Sequence, residues 1–148
     1  MATTGYAAGN GKFAADVAKW ADGVNESLAA VVRGTMLELA SRIRERTPVA
    51  TGRTKANWMA SVDAPDTGTT DSTDCAAGER RAARAIARFD PQKHRSLFLT
   101  NSLPHVRGLE YGQGGKAPRG MVRVTVAEFS SIVGEQVRLA RARKAGLS

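Results

Sequence analysis

Apolar residues recur at helical spacing from the start of the chain: Phe13, Val17, Trp20 and Val24, then Leu28, Val31, Val32, Thr35, Met36, Leu39 and Ile43. At 100° per residue both sets stay within one broad stripe, and the phase passes through Gly23 unbroken. One helix over residues 12–46 fits this pattern as well as two do. At 1.5 Å per residue it would run roughly 50 Å, whereas a compact domain of this size is only about 40 Å across. Either it kinks near Gly23, or its first turns project onto a neighbouring subunit. Leu37 falls opposite the stripe; a lone exposed leucine is ordinary, but exposure of Trp20 together with Leu37 would favour a subunit contact. Residues 1–11 are small, glycine-rich and without periodicity, and are expected to form a flexible arm.

The helical pattern stops at Thr47-Pro48-Val49, because proline pushes the residue before it out of helical geometry, and Thr51-Gly52 offers a turn. Residues 57–62 alternate as a strand with Trp58, Ala60 and Val62 on one face. Residues 63–77, a run of Asp, Thr, Gly, Ser and Ala, can bury almost nothing and are expected to be a mobile loop. Ala82, Ala85, Ile86 and Phe89 then form a helical face, with Arg81, Arg84 and Arg88 on the other side and Asp90-Pro91 as the stop. Residues 96–100 suggest a second, more buried strand. The pattern leaves residues 105–111 open between helix and strand, and residues 112–115 form a loop. Residues 121–124 fit a short strand or a pre-helical turn. Thr125-Val126-Ala127-Glu128 has the form of a capping box, opening a helix whose stripe is Val126, Phe129, Val133, Val137 and Ala140. The expected architecture is α+β: a small, mainly antiparallel sheet packed against a long N-terminal helix and a C-terminal helix, one domain over residues 12–144 with a short tail at 145–148.

The length of 148 residues suits one core of ordinary size. No apolar run approaches the roughly 20 residues that span a bilayer, and the first residues lack the layout of a signal peptide, so a soluble chain made in a cytoplasm is expected, with no membrane partner. Cys75 is the single cysteine, which excludes an internal disulfide and zinc sites built on paired cysteines; in a polar loop it is expected to be incidental.

The net charge is +8. Two segments account for all of it: residues 78–95, with six basic residues against Glu79 and Asp90, and residues 138–144, where Arg138, Arg141, Arg143 and Lys144 meet no acid. On the first, a cationic helix face is ordinarily just solvated. On the second, cations suit the negative pole of a last helical turn. The sharper reading of both is contact with an acidic partner or with DNA phosphates.

Tests for chemistry find little. Gly112-Gln113-Gly114-Gly115-Lys116 has the wrong spacing for a phosphate loop, and Ala117 stands where Ser or Thr would hold magnesium. Asp66, Asp71 and Asp74 lack the spacing and closing glutamate of a calcium loop. His94 and His105 belong to no nucleophile or metal motif. No enzyme activity, cofactor or metal is expected.

Thr47-Pro48-Val49-Ala50-Thr51-Gly52-Arg53, followed by Asn57-Trp58, resembles the signature of a family of small proteins from long-tailed double-stranded DNA bacteriophages, described as tail-completion or neck components. Leu99-Thr100-Asn101-Ser102-Leu103-Pro104-His105, Leu109-Glu110-Tyr111-Gly112 and Ala117-Pro118-Arg119-Gly120-Met121 form the second matching block. Ala50 stands where the family usually has Asp, and Thr54 where it often has Leu. The resemblance makes Glu110, Tyr111 and Gly112 structural marks of the family.

It implies a structural virion protein of the neck that completes the tail and joins it to the DNA-filled head. The implied assembly is a ring, a hexamer, around genomic DNA read without sequence specificity. Its neighbours would be other neck proteins, a tail terminator or tail tube, and head-completion or adaptor proteins. Assembly would occur in the host cytoplasm. Trp20, Leu37 and the basic residues of both cationic segments are the candidate contacts. The alternative is a small basic nucleic-acid-binding protein, against which stand few aromatics and no helix-turn-helix, zinc or RNA-recognition signature.

Overall fold

In the computed structural model, which describes residues 10–146, the apolar stripe forms one uninterrupted helix, α1, Asn10–Arg46. Gly23 does not break it, and the long-helix alternative is the one realised. Its C-terminus is closed by Thr47, whose backbone N–H donates to the Arg44 carbonyl and whose hydroxyl donates to the Ile43 carbonyl at 2.7 Å. Two carbonyls that would otherwise lack partners at a helix end are thereby satisfied.

The chain then runs through α2 (Arg53–Ala56), β1 (Met59–Val62), α3 (Cys75–Ala87) and β2 (Leu97–Thr100). It ends with α4 (Val106–Glu110), a 3-10 turn at Gln113–Gly115, α5 (Val122–Val126) and α6 (Phe129–Lys144). β1 and β2 pair antiparallel, with Met59 opposite Thr100 and Val62 opposite Leu97. The fold is thus α+β, a mostly helical domain around a two-stranded sheet. The expected arm at residues 1–11 falls mostly outside the described residues, and Asn10 and Gly11 already belong to α1. Ala145 and Gly146 form a turn after α6, and the rest of the expected tail lies outside.

The core has two clusters. Ile43, Trp58, Leu103, Val106, Ala117 and Met121 make one; Ala60, Ala82, Ala85 and Ile86 make the other, and Leu99 packs against both. The buried face of α3 therefore falls where its periodicity put it, with Phe89 buried beyond its end. Trp58 and Ala60 were expected to share one face, yet they enter different clusters, because Trp58 precedes the paired part of the strand. The second strand is half-buried along its whole length and is not the deeper one; Met59 and Ala60 of β1 are buried.

Three further expectations change. α3 begins at Cys75, inside the loop expected over residues 63–77, because Asp74 caps it by accepting a hydrogen bond from the Ala77 N–H. Residues 122–126 are helical, with Met121 at the N-cap. Thr125 and Glu128 form no capping box: Thr125 is buried inside α5 and donates to the Met121 carbonyl, while Glu128 precedes α6 with no side-chain cap bond. The Glu128 carboxylate reaches instead to Arg46 at 2.8 Å and Arg42 at 3.1 Å. Of the expected stripe, Ala140 is buried and Val133 and Val137 are half-buried, but at its start Val126 and Phe129 are exposed and Ile132 is buried instead.

α6 runs antiparallel along α1. Glu128 meets Arg46 at one end, Gln136 lies against Gly34 midway, and Lys144 reaches Gly23 at the other. Beyond Gly23, residues 11–22 of α1 have no covering element among the described residues, so that residues 10–22 form an overhang of about 20 Å at the helical rise.

Candidate assembly surfaces

The residues of the first matching block form a buried hydrogen-bonded knot. Trp58 Nε1 donates to Thr47 Oγ1 at 2.9 Å, so the hydroxyl that closes α1 also anchors the indole. Asn57 is fully buried: its amide donates to the Arg53 and Thr70 carbonyls and accepts from the Thr70 N–H, at 2.8–2.9 Å. Arg53 adds a bond to the Thr70 carbonyl and an ion pair with Asp71. The segment expected to be a free excursion is therefore clipped at Thr70, though most of residues 63–74 are exposed. Gly52, at φ 95°, lies where a Cβ would stand 2.6 Å from the Thr73 carbonyl oxygen, so a side chain there would collide with the returning loop. Thr51 accepts from the Arg53 N–H. Pro48 is half-buried and Val49 exposed. Cys75 is half-buried and its Sγ points at the Gly52 carbonyl, 3.6 Å away.

The second block ties onto the first. Asn101 donates to the Thr54 carbonyl, and His105 hydrogen-bonds with the Thr54 hydroxyl at 2.9 Å. Glu110 caps α5 from a distance in sequence: its carboxylate accepts from the N–H groups of Met121, Val122 and Arg123 at 2.8–2.9 Å. Burial pushes its pKa up, but these three backbone donors and Arg123 outweigh that and hold it below the ordinary value. Gly120, at φ 84°, leaves the space: a Cβ would stand 2.4 Å from Glu110 Oε2. Tyr111 is exposed with the Arg123 guanidinium over its ring, 4.5 Å from the centroid. Gly112 takes φ 81° to start the 3-10 turn.

The candidate contact residues are scattered. Arg84 and Arg88 are exposed, but Arg81 turns back and donates to the Ala56 carbonyl at 2.6 Å, which removes it from the outer cationic face. Arg138 pairs with Glu135, and Arg141 is exposed. Arg143 and Lys144 border a shallow pocket with Gly23 and Glu26 of α1. Trp20 is 67% exposed and Leu37 44%. Both conditions set for a subunit contact are met, although the two residues lie on different faces of α1.

Sequence reasoning missed three features. The Glu128–Arg46–Arg42 cluster was hidden by the apparent capping box. The clip at Thr70 depends on chain return that no local pattern encodes. Arg44 carried no signal in the sequence pattern, yet it is buried, and its Nε and Nη2 find no partner among the described residues. Burial lowers its pKa.

Among the described residues two apolar surfaces are left uncovered. One is the overhang with Phe13, Val17, Trp20 and Val24, continued by Leu28. The other is a groove of about 420 Å³ between the middle of α1, the start of β2 and the first turns of α6. Among the described residues no three His, Cys, Asp or Glu side chains gather as a metal site, and no helix is long and apolar enough to cross a membrane. No family model, curated protein or solved structure matches the chain.

Proposed function

We propose that this chain is a structural virion protein of the neck of a long-tailed double-stranded DNA phage. In this reading it completes the tail and joins it to the filled head as a sixfold ring around the DNA channel, and it has no enzymatic role. The observation that carries the reading is the meeting of the two resembling blocks in one hydrogen-bonded unit, through the Asn101 amide and the backbone carbonyl of residue 54. Their polar residues are engaged in holding backbone, as an architectural signature requires, while an apolar helix projects for contact. A one-way interface whose rotation closes makes a ring from one small subunit.

The test is a phage carrying an early stop codon in this gene, viewed by negative-stain microscopy with complementation as control. Filled heads separated from tails, or tails with abnormal ends, are the expected products. Normal infectious particles would overturn the reading.

The second reading, nucleic-acid binding, is favoured by the exposure of Arg141, Arg143 and Lys144 together at one end of α6. It predicts a DNA shift whose affinity falls steeply with salt. In a phage it predicts failure before filled heads appear.

A further inference from the structure

We infer that the overhang of α1 from one copy seats in the apolar groove of another, so that the two uncovered surfaces of this chain cover each other in trans. The groove is lined by Val32, Met36 and Leu39 of α1, Leu97 of β2, and Phe129 and Val133 of α6. Its mouth is open enough to leave Phe129 47% exposed. The overhang presents Phe13, Trp20 and Val17, at 69, 67 and 47% exposure. Large aromatics left in water at a helix spacing of i, i+4 and i+7 form the kind of stripe that a groove takes up.

The chain cannot satisfy itself. α1 is one helix from Asn10 to Arg46, so Trp20 and Met36 are fixed about 24 Å apart along one axis. The overhang can enter only the groove of a second copy. Charge does not oppose this occupant: the overhang, residues 10–22, balances Asp16 and Asp22 against Lys12 and Lys19, and Glu26 one turn beyond makes the apolar stripe through Leu28 net negative by one, against Arg88, Lys93 and Arg95 with Asp90 in residues 88–95 beside the groove. The inference deepens the ring reading by naming the contact, and it rests on that reading only for the symmetry of the assembly.

The full chain would be followed by sedimentation, beside Phe13→Glu/Trp20→Glu and, separately, Val133→Glu. Each variant is expected to weaken self-association by about tenfold or more, as loss of a buried anchor does. The overhang variant lies outside the domain and, at a dilution where the parent is monomeric, should share the parent melting temperature, which separates lost contact from lost folding. In a Cys75→Ser background, copies with Val17→Cys and copies with Ser96→Cys would be mixed and treated with a short bis-maleimide. Cross-linking is expected in the mixture well above either sample alone. A parent protein that stays monomeric at its highest soluble concentration, overhang variants that associate like the parent, or cross-linking no stronger in the mixture would overturn the inference. A reciprocal dimer held by this contact would support it while counting against the ring. Headless tails in the stop-codon phage with association unaffected by either variant would leave the neck reading standing and remove this contact alone.

Discussion

The two ends of the long N-terminal helix face opposite physical situations. At its C-terminal end, Thr47, Asn57 and Trp58 are buried polar or amphipathic groups, each hydrogen-bonded to chain far away in sequence. At its N-terminal end, Phe13 and Trp20 are large apolar groups lying in water. The first end holds the fold together through these bonds, with buried Arg44 the exception whose Nε and Nη2 stay unpartnered among the described residues. The second contributes little to the isolated domain and has its surface free for another molecule. A core that is polar and largely hydrogen-bonded, beside a surface that is apolar but uncovered, is how a small subunit separates folding from assembly.

The sharpest way to break the comparison is Trp58→Ala, expected to cost about 3–5 kcal/mol in a denaturant series because it empties the core beside Ile43 and Met121. A cost below about 1 kcal/mol would show that the knot is not a stability centre. Asn57→Ala follows at about 2–3 kcal/mol, since it orphans the Thr70 N–H. Replacing residues 64–69, ahead of the clip, with a Gly/Ser linker should change stability by less than about 1 kcal/mol. Equal costs for these two changes would mean that the clip does not organise the loop. Gly120→Ala is expected to cost about 1–3 kcal/mol through its positive φ and its collision with Glu110.

Acid should loosen α6 selectively. Arg46, then Arg42, depress the Glu128 pKa from an ordinary 4.5 to about 2. A carboxylate depressed on folding contributes fully above its unfolded pKa and loses that contribution as pH falls toward the folded one. Amide protection in α6 should therefore decline below about pH 4.5 in the parent protein. In Glu128→Gln it should already be reduced at neutral pH and vary less across that window; identical profiles would remove the ion cluster from the account. The smallest effect is at the overhang: Trp20→Ala should shift monomer stability by less than about 0.5 kcal/mol. Phe129, expected from its periodicity to be core, should cost about 1–2 kcal/mol on change to Ala, because it is half-exposed and only part of its area leaves water.

The helix over residues 12–46, the strand pair, the buried face of α3 and the stop at Thr47-Pro48 were legible because each follows from neighbours within one or two turns. The glycine at 52 was legible as a turn, but not as a position pressed against Thr73. The reading failed at Thr125-Val126-Ala127-Glu128, where a local capping pattern lost to a tertiary ion cluster. Pairing with two arginines of α1 satisfied Glu128 in place of a cap bond, and the start of α6 buries Ile132 instead of Phe129. Glu110 was marked only through the resemblance, since a carboxylate that caps a helix eleven residues onward leaves no periodic trace.

By itself the sequence determined where the chain is periodic, where it must turn, and that all of its excess charge lies in two short segments, since all three are properties of adjacent residues. Only the tertiary structure decided which apolar residues become core. Phe13 and Ile43 lie on the same broad stripe, but Ile43 packs with Trp58, Leu103, Val106 and Met121, whereas α6 reaches back only to Gly23 and leaves Phe13 exposed. Burial depends on which surfaces meet in space, and the length of a partner helix is not written in the residues that it covers.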